Sequence, residues 1–178
     1  VPPLCRIDLS GVVDLEFSVG EPHLEVRCDG NLLPLVKTEA CGDSLVVSCE
    51  GSFSTNNRVL VSLRMPALEG IVISGCGDAI VTGVSGTRFE ADITGCGSLT
   101  VKGSVEEARF SVSGSGDIKA GSLLASRVVV VASGCGDVRA HASVSASVRS
   151  TGSGDVEVSG GPQARDVRAH GSGDVDFV

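Results

Sequence analysis

Seven cysteines, three histidines and a set of aspartates placed among glycines are the side chains of this chain that could do chemistry. The cysteines, at 5, 28, 41, 49, 76, 96 and 135, form no Cys-x-x-Cys pair and no zinc-type spacing. An odd number leaves at least one without an intramolecular partner. A secreted disulfide scaffold is normally shorter and denser in cysteine, so mostly free, buried or semi-buried thiols are expected. His23, His141 and His170 show no His-x-x-x-His pairing and read as solvated surface side chains. There is no Gly-x-Ser-x-Gly elbow, no Gly-x-Gly-x-x-Gly and no glycine followed by lysine, which removes the usual hydrolase serine and phosphate loops. Carboxylates are abundant, but abundance is not a constellation. No catalytic residue is assigned, and no cofactor is expected.

The aspartates carry the strongest pattern. A unit beginning Gly75-Cys76-Gly77-Asp78 recurs as Gly95-Cys96-Gly97-Ser98, Gly114-Ser115-Gly116-Asp117, Gly134-Cys135-Gly136-Asp137, Gly152-Ser153-Gly154-Asp155 and Gly171-Ser172-Gly173-Asp174. First glycines are 20, 19, 20, 18 and 19 residues apart. Stacked units would place Asp78, Asp117, Asp137, Asp155 and Asp174 in one column. Neighbouring carboxylates there repel by about 1 kcal/mol in water, whereas accepting a backbone N–H returns about 1.5–3 kcal/mol. Capping therefore holds the column without a metal, and a row of weak Ca²⁺ sites is the alternative. Ser98 suits capping, since a hydroxyl imitates the carboxylate. Cys76, Cys96, Ser115, Cys135, Ser153 and Ser172 form a second column, read as a place for a small side chain. A Cys76–Cys96 disulfide is reachable in distance but awkward in direction, because stacked side chains run parallel.

The elements that position these columns follow from the alternation around each unit. Two residues before the first glycine stand Ile73, Ile93, Val112, Ala132, Ser150 and Ala169; just after the unit come Ala79, Leu99, Ile118, Val138, Val156 and Val175. Interleaved positions such as Asp92, Arg149, Lys119 and Arg139 are polar. Each repeat is thus a strand with one inward face, a glycine corner and a second such strand. The glycines at 75, 77, 95, 97, 114, 116, 134, 136, 152, 154, 171 and 173 are structural corners, where positive φ or close approach of neighbouring coils excludes a side chain. About 19 residues are too few for a strand–helix–strand crossover of about 30, and fit one solenoid coil. The predicted fold is an all-β, right-handed parallel β-helix of six coils over residues 69–178, preferred to a β-sandwich of hairpins, which needs no fixed repeat.

The front third differs. Val13–Val19, Leu24–Cys28 and Val59–Met65 alternate as strands, Cys41-Gly42-Asp43-Ser44 reads as a hairpin turn, and residues 31–35 as a single helical turn. Residues 1–68 are expected to cap the stack, with no linker before the repeats, giving a single domain over 1–178. Net charge of −8 argues against nucleic acid and anionic membrane surfaces as partners. No apolar run of about 18 residues spans a bilayer. The start at Val1 without Met reads as a mature or trimmed form whose targeting segment, if any, lies upstream.

With the repeat laid out, the chain resembles the family described as putative auto-transporter adhesin, head GIN domain, over roughly residues 10–178. The resemblance is carried by Ser113–Ile118 and its sister repeats, by Asp29-Gly30-Asn31-Leu32-Leu33-Pro34-Leu35 followed by Ser44-Leu45-Val46-Val47, and by Met65-Pro66-Ala67-Leu68-Glu69-Gly70. It implies a right-handed β-helix, export in Gram-negative bacteria to the periplasm, outer membrane or exterior, and an adhesive role; it supplies no catalytic residues. Cysteine at 76, 96 and 135 departs from the family pattern. The expected function is a non-enzymatic extracytoplasmic module that binds a cell-surface or envelope protein or glycan, or that has a structural role in the envelope. The alternatives are a polysaccharide-acting β-helix enzyme, hinted at only by Lys119 and Arg139 in adjacent coils, and an assembly unit forming a homo-oligomer through the edge of its C-terminal coil.

Overall fold

The computed structural model describes residues 5–28, 36–49 and 59–178, and all of its regular structure is strand. In chain order these are β1 (Arg6–Leu9), β2 (Val13–Val19), β3 (His23–Arg27), β4 (Val36–Cys41), β5 (Ser44–Cys49), β6 (Val59–Met65) and β7 (Gly70–Ile73). The long strands β8 (Ala79–Ile93), β9 (Leu99–Val112), β10 (Ile118–Ala132) and β11 (Val138–Ser150) follow, and β12 (Val156–Ser159), β13 (Ala164–Ala169) and β14 (Val175–Phe177) complete the series. All fourteen join one sheet wound into stacked coils. The repeats pair in parallel, each residue against its equivalent: Ile73 on Ile93, Ile93 on Val112, Val138 on Val156, Val156 on Val175. The solenoid reading, with matching residues stacked in columns, therefore holds, and the hairpin sandwich does not.

In the coils built on β8 to β11 the glycine unit is the one sharp break, and between β12 and β13 a second falls at Gly160-Gly161. On the far side the chain stays in strand geometry and turns through register shifts, between Val81 and Val84 in β8 and between Lys119 and Ser122 in β10. Gly83, Gly103 and Gly160 each stand eight residues after the first glycine of a unit, a partial repeat that sequence reading missed. All three have positive φ, +80°, +151° and +97°, so the bend requires glycine there.

The interior is a narrow ribbon of aliphatic columns. Phe89 lies over Ala108, and one pleat further Ala91 lies over Phe110, so the two largest fully buried side chains are staggered across adjacent coils. A large residue opposite a small one fills the ribbon without forcing the coils apart. Ser150 occupies an aliphatic column, is completely buried, and its hydroxyl has no hydrogen-bond partner.

The N-terminal region caps the stack and also adds to it. β1 pairs in parallel with β7, and β2 with β8, so residues 6–19 form a coil directly beneath the first glycine repeat. On its other side that coil carries β5 and β6, again in parallel. Order along the chain and order along the stack thus differ, since β5 and β6 lie below β1 and β2. Termination falls to β3 and β4, antiparallel to β6 and β5. The predicted hairpin at 41–44 is present, closed by Gly42 at φ of +63° with Cys41 paired to Ser44. The helical turn expected at 31–35 lies outside the described residues.

Candidate functional site

The corner ridge gathers the residues that the sequence singles out. None of the twelve repeat glycines has positive φ; their reason is close approach. A Cβ on Gly95 would fall on the carbonyl oxygen of Gly75, one on Gly97 on that of Gly77, and one on Gly116 on that of Gly97, continuing up to Gly171 and Gly173. The middle residue of each unit is then turned outward. That corrects one expectation: Cys76, Cys96 and Cys135 are exposed, as is Cys41, while Cys5, Cys28 and Cys49 are half-buried; all seven are free. Burial raises the Cys49 thiol above its ordinary range, with Cys28 beside it adding to the effect.

The aspartates form a ladder between coils. The Asp78 N–H donates to Asp14 Oδ1 (2.9 Å) and the Ser98 N–H to Asp78 Oδ1 (3.0 Å). The N–H groups of Asp137, Asp155 and Asp174 donate to Oδ1 of Asp117, Asp137 and Asp155, each at 2.9 Å. Asp14 is the member that sequence reading missed. Ser10-Gly11-Val12-Val13-Asp14 is a degenerate copy of the unit, recognisable by Ser-Gly-x-x-Asp but set 64 residues from its neighbour by the intervening coil. Among the described residues no three or more His, Cys, Asp or Glu side chains converge as a metal site. Asp137→Ala, which removes one rung, is expected to cost about 1 kcal/mol in urea unfolding. A chelator should leave the melting temperature unchanged; a drop would reinstate calcium.

Lys119, Arg139, Glu157 and Asp176 stack in that order on one outer column, two cations followed by two carboxylates. Of the histidines, His23 and His170 are exposed as expected, but His141 is half-buried, its Nδ1 3.1 Å from Ser159 Oγ in the next coil. At the C-terminal coil the Arg165 guanidinium lies 4.4 Å above the Phe177 ring.

Sequence reasoning missed a concavity of about 440 Å³, which lies where β3 folds back on β6. The antiparallel register sets His23 against Arg64 and Glu25 against Ser62, while parallel pairing sets Glu16 beside Ser62 and Arg64 beside Ser18. Cations and carboxylates thus alternate across the floor. Arg27 Nε donates to Glu25 Oε1 at 2.9 Å, which holds the Glu25 carboxyl below its ordinary range and raises Arg27. No repeat marks these residues, because the antiparallel return of β3 brings them together. Among the described phenylalanines, Phe17, Phe89 and Phe110 are buried and Phe177 is half-covered, so no ring offers a stacking platform there. No described helix is long and apolar enough to cross a membrane.

Parallel coils ending in an antiparallel, charge-lined cap define a β-solenoid that presents a rigid polar surface. The chain belongs to the family described as "Putative auto-transporter adhesin, head GIN domain", which matches residues 4–162. Solved structures with the same fold include a "putative adhesin" from Bacteroides fragilis NCTC 9343, 20% identical with a TM-score of 0.78, covering 100% of this chain and 94% of that one. Another "putative adhesin", from Parabacteroides distasonis ATCC 8503, is 23% identical with a TM-score of 0.65 and the same coverage. A "putative lipid binding protein" from the same organism is 21% identical with a TM-score of 0.55, covering 99% and 93% of the two chains. No curated protein matches the sequence.

Proposed function

We propose that this protein is a non-enzymatic, extracytoplasmic binding module of the adhesin type, and that it engages a polar partner on the cell surface or envelope through the concavity between β3 and β6. The supporting observation is that concavity itself. In a solenoid the repeated residues serve the stack, and recognition gathers where the repeat is broken. Here the break is a depression of about 440 Å³ floored by Glu16, His23, Glu25, Arg27 and Arg64. Alternating charge favours a partner with its own donors and acceptors, a protein surface or a charged glycan, over one held by ring stacking. Membership of the family supports the adhesive reading. The Ser159 hydroxyl, 3.1 Å from His141 Nδ1, also donates to the Ala140 carbonyl at 3.3 Å, as a tie between coils would, and Lys119 and Arg139 lie in a column that balances their charge.

The test is a binding screen of the purified chain against a glycan array and against outer-envelope proteins. Reversing the cations with Arg27→Glu and Arg64→Glu is expected to weaken capture of whichever partner emerges by at least about tenfold, roughly 1.4 kcal/mol. Lys119→Glu, on the repeat face, should leave it unchanged. Equal capture by both variants would remove the concavity from consideration, and release of new sugar ends from a bound glycan would make the protein an enzyme.

A further inference from the structure

We propose that Cys76 and Cys96 form a two-coordinate site for a soft, thiophilic metal ion of the Cu(I) kind, exposed on the corner ridge. The two cysteines hold the same position in adjacent coils. The Cys96 N–H donates to the Gly75 carbonyl at 3.1 Å, and the Ser115 N–H to the Gly95 carbonyl at the same distance, so the column runs straight through them. Both side chains face solvent.

The spacing selects the ligand. Parallel coils lie about 4.7–4.9 Å apart, and identical side chains leave the corner side by side. Two bonds of the about 2.3 Å found in a four-coordinate zinc thiolate would span about 4.6 Å between sulfurs, and the shorter two-coordinate bonds of a linear bis-thiolate need only a small inward lean of the two side chains. A disulfide needs its Cβ atoms within about 3.5–4.5 Å, so the coils would have to pinch together at the corner. They cannot, because Gly95 already rests on the Gly75 carbonyl and Gly97 on that of Gly77. The column also sets the number of ligands. Val12 stands on one side of the pair and Ser115 on the other, and Ser115 separates Cys96 from Cys135 by a full coil. Two thiolates and no third ligand suit a soft d¹⁰ cation and not a hard one. Binding exchanges protons for metal: two thiols and one monovalent ion give one bis-thiolate complex and two released protons, with no change of oxidation state. Affinity therefore rises with pH.

The test uses the reduced full chain, kept anaerobic and titrated with Cu(I) against a competing chromophoric chelator. One ion per chain should resist the competitor. Cys76→Ser and Cys96→Ser should each weaken binding by at least about 100-fold, the upper end of what losing an outer-shell partner costs. Cys135→Ser should leave it unchanged. Serine already fills this column at 115, 153 and 172, so these variants keep the fold, and a matching melting curve verifies it. Cys28→Ser controls for the other neighbouring thiols, Cys28 and Cys49. Cu(I) retained by Cys96→Ser but lost by Cys28→Ser overturns the proposal, as does a Cys76–Cys96 disulfide in the freshly isolated protein.

Discussion

Gly116→Ala is expected to destabilise the protein by at least about 3 kcal/mol, and Gly121→Ala, five residues on, to change stability by less than about 1 kcal/mol. A Cβ on Gly116 meets the Gly97 carbonyl oxygen and lies 2.7 Å from Ile93 Cγ2 in the coil beneath. Neither can retreat, since the carbonyl belongs to the next corner and Ile93 is fully buried. The methyl can be housed only by prising two coils apart, which breaks the ladder on both sides of the corner. Gly121 has nothing within 4 Å of the added atom and no left-handed φ, so there alanine only restricts the unfolded chain. Urea unfolding followed by circular dichroism measures both. Because each coil rests only on its neighbours, damage in mid-stack should also uncouple the two ends, and Gly116→Ala should unfold in a broader or stepped transition. Equal midpoints for the two variants would mean that the corners are not in close contact.

Phe110→Ala should cost about 3–5 kcal/mol. Phe110 is 1% exposed and lies between Ala91 on one coil and Val130 on the next. Its removal leaves a void beside alanine, which has no side chain long enough to fill it, and the coils on either side are already held at fixed spacing by their backbone ladders. Phe177→Ala is the contrast: that ring is half-buried beneath Arg165 and should cost clearly less. Thermal or urea denaturation of the pair decides the matter. A small loss for Phe110→Ala would show that the ribbon closes around the gap.

Much of this architecture was legible in the order of residues. A unit returning every 18 to 20 positions, with Ile73, Ile93 and Val112 in equivalent places, means parallel stacking, because only in-register coils set each residue on its own counterpart. The hairpin at Gly42-Asp43 was equally plain, as turn chemistry is local. The far-side bends were not read from it, although Gly83, Gly103 and Gly160 recur at one offset from the units, because Ser122 and Ala142 interrupt that column. Nor was Asp14 as the foot of the carboxylate ladder. Its neighbour in space is 64 residues away, and a search for constant spacing passes over it.

The chain by itself determined the coil, its inward and outward faces, and the side chains that share a column, since side-chain alternation and near-constant pitch are local properties that repetition makes unmistakable. Tertiary structure alone decided that β5 and β6 slip beneath β1 and β2, that β3 turns back to build a charged hollow, and that the repeat glycines are demanded by contact and not by φ. Those outcomes depend on which distant backbones meet, and each is set by the packing of surfaces that the sequence keeps far apart.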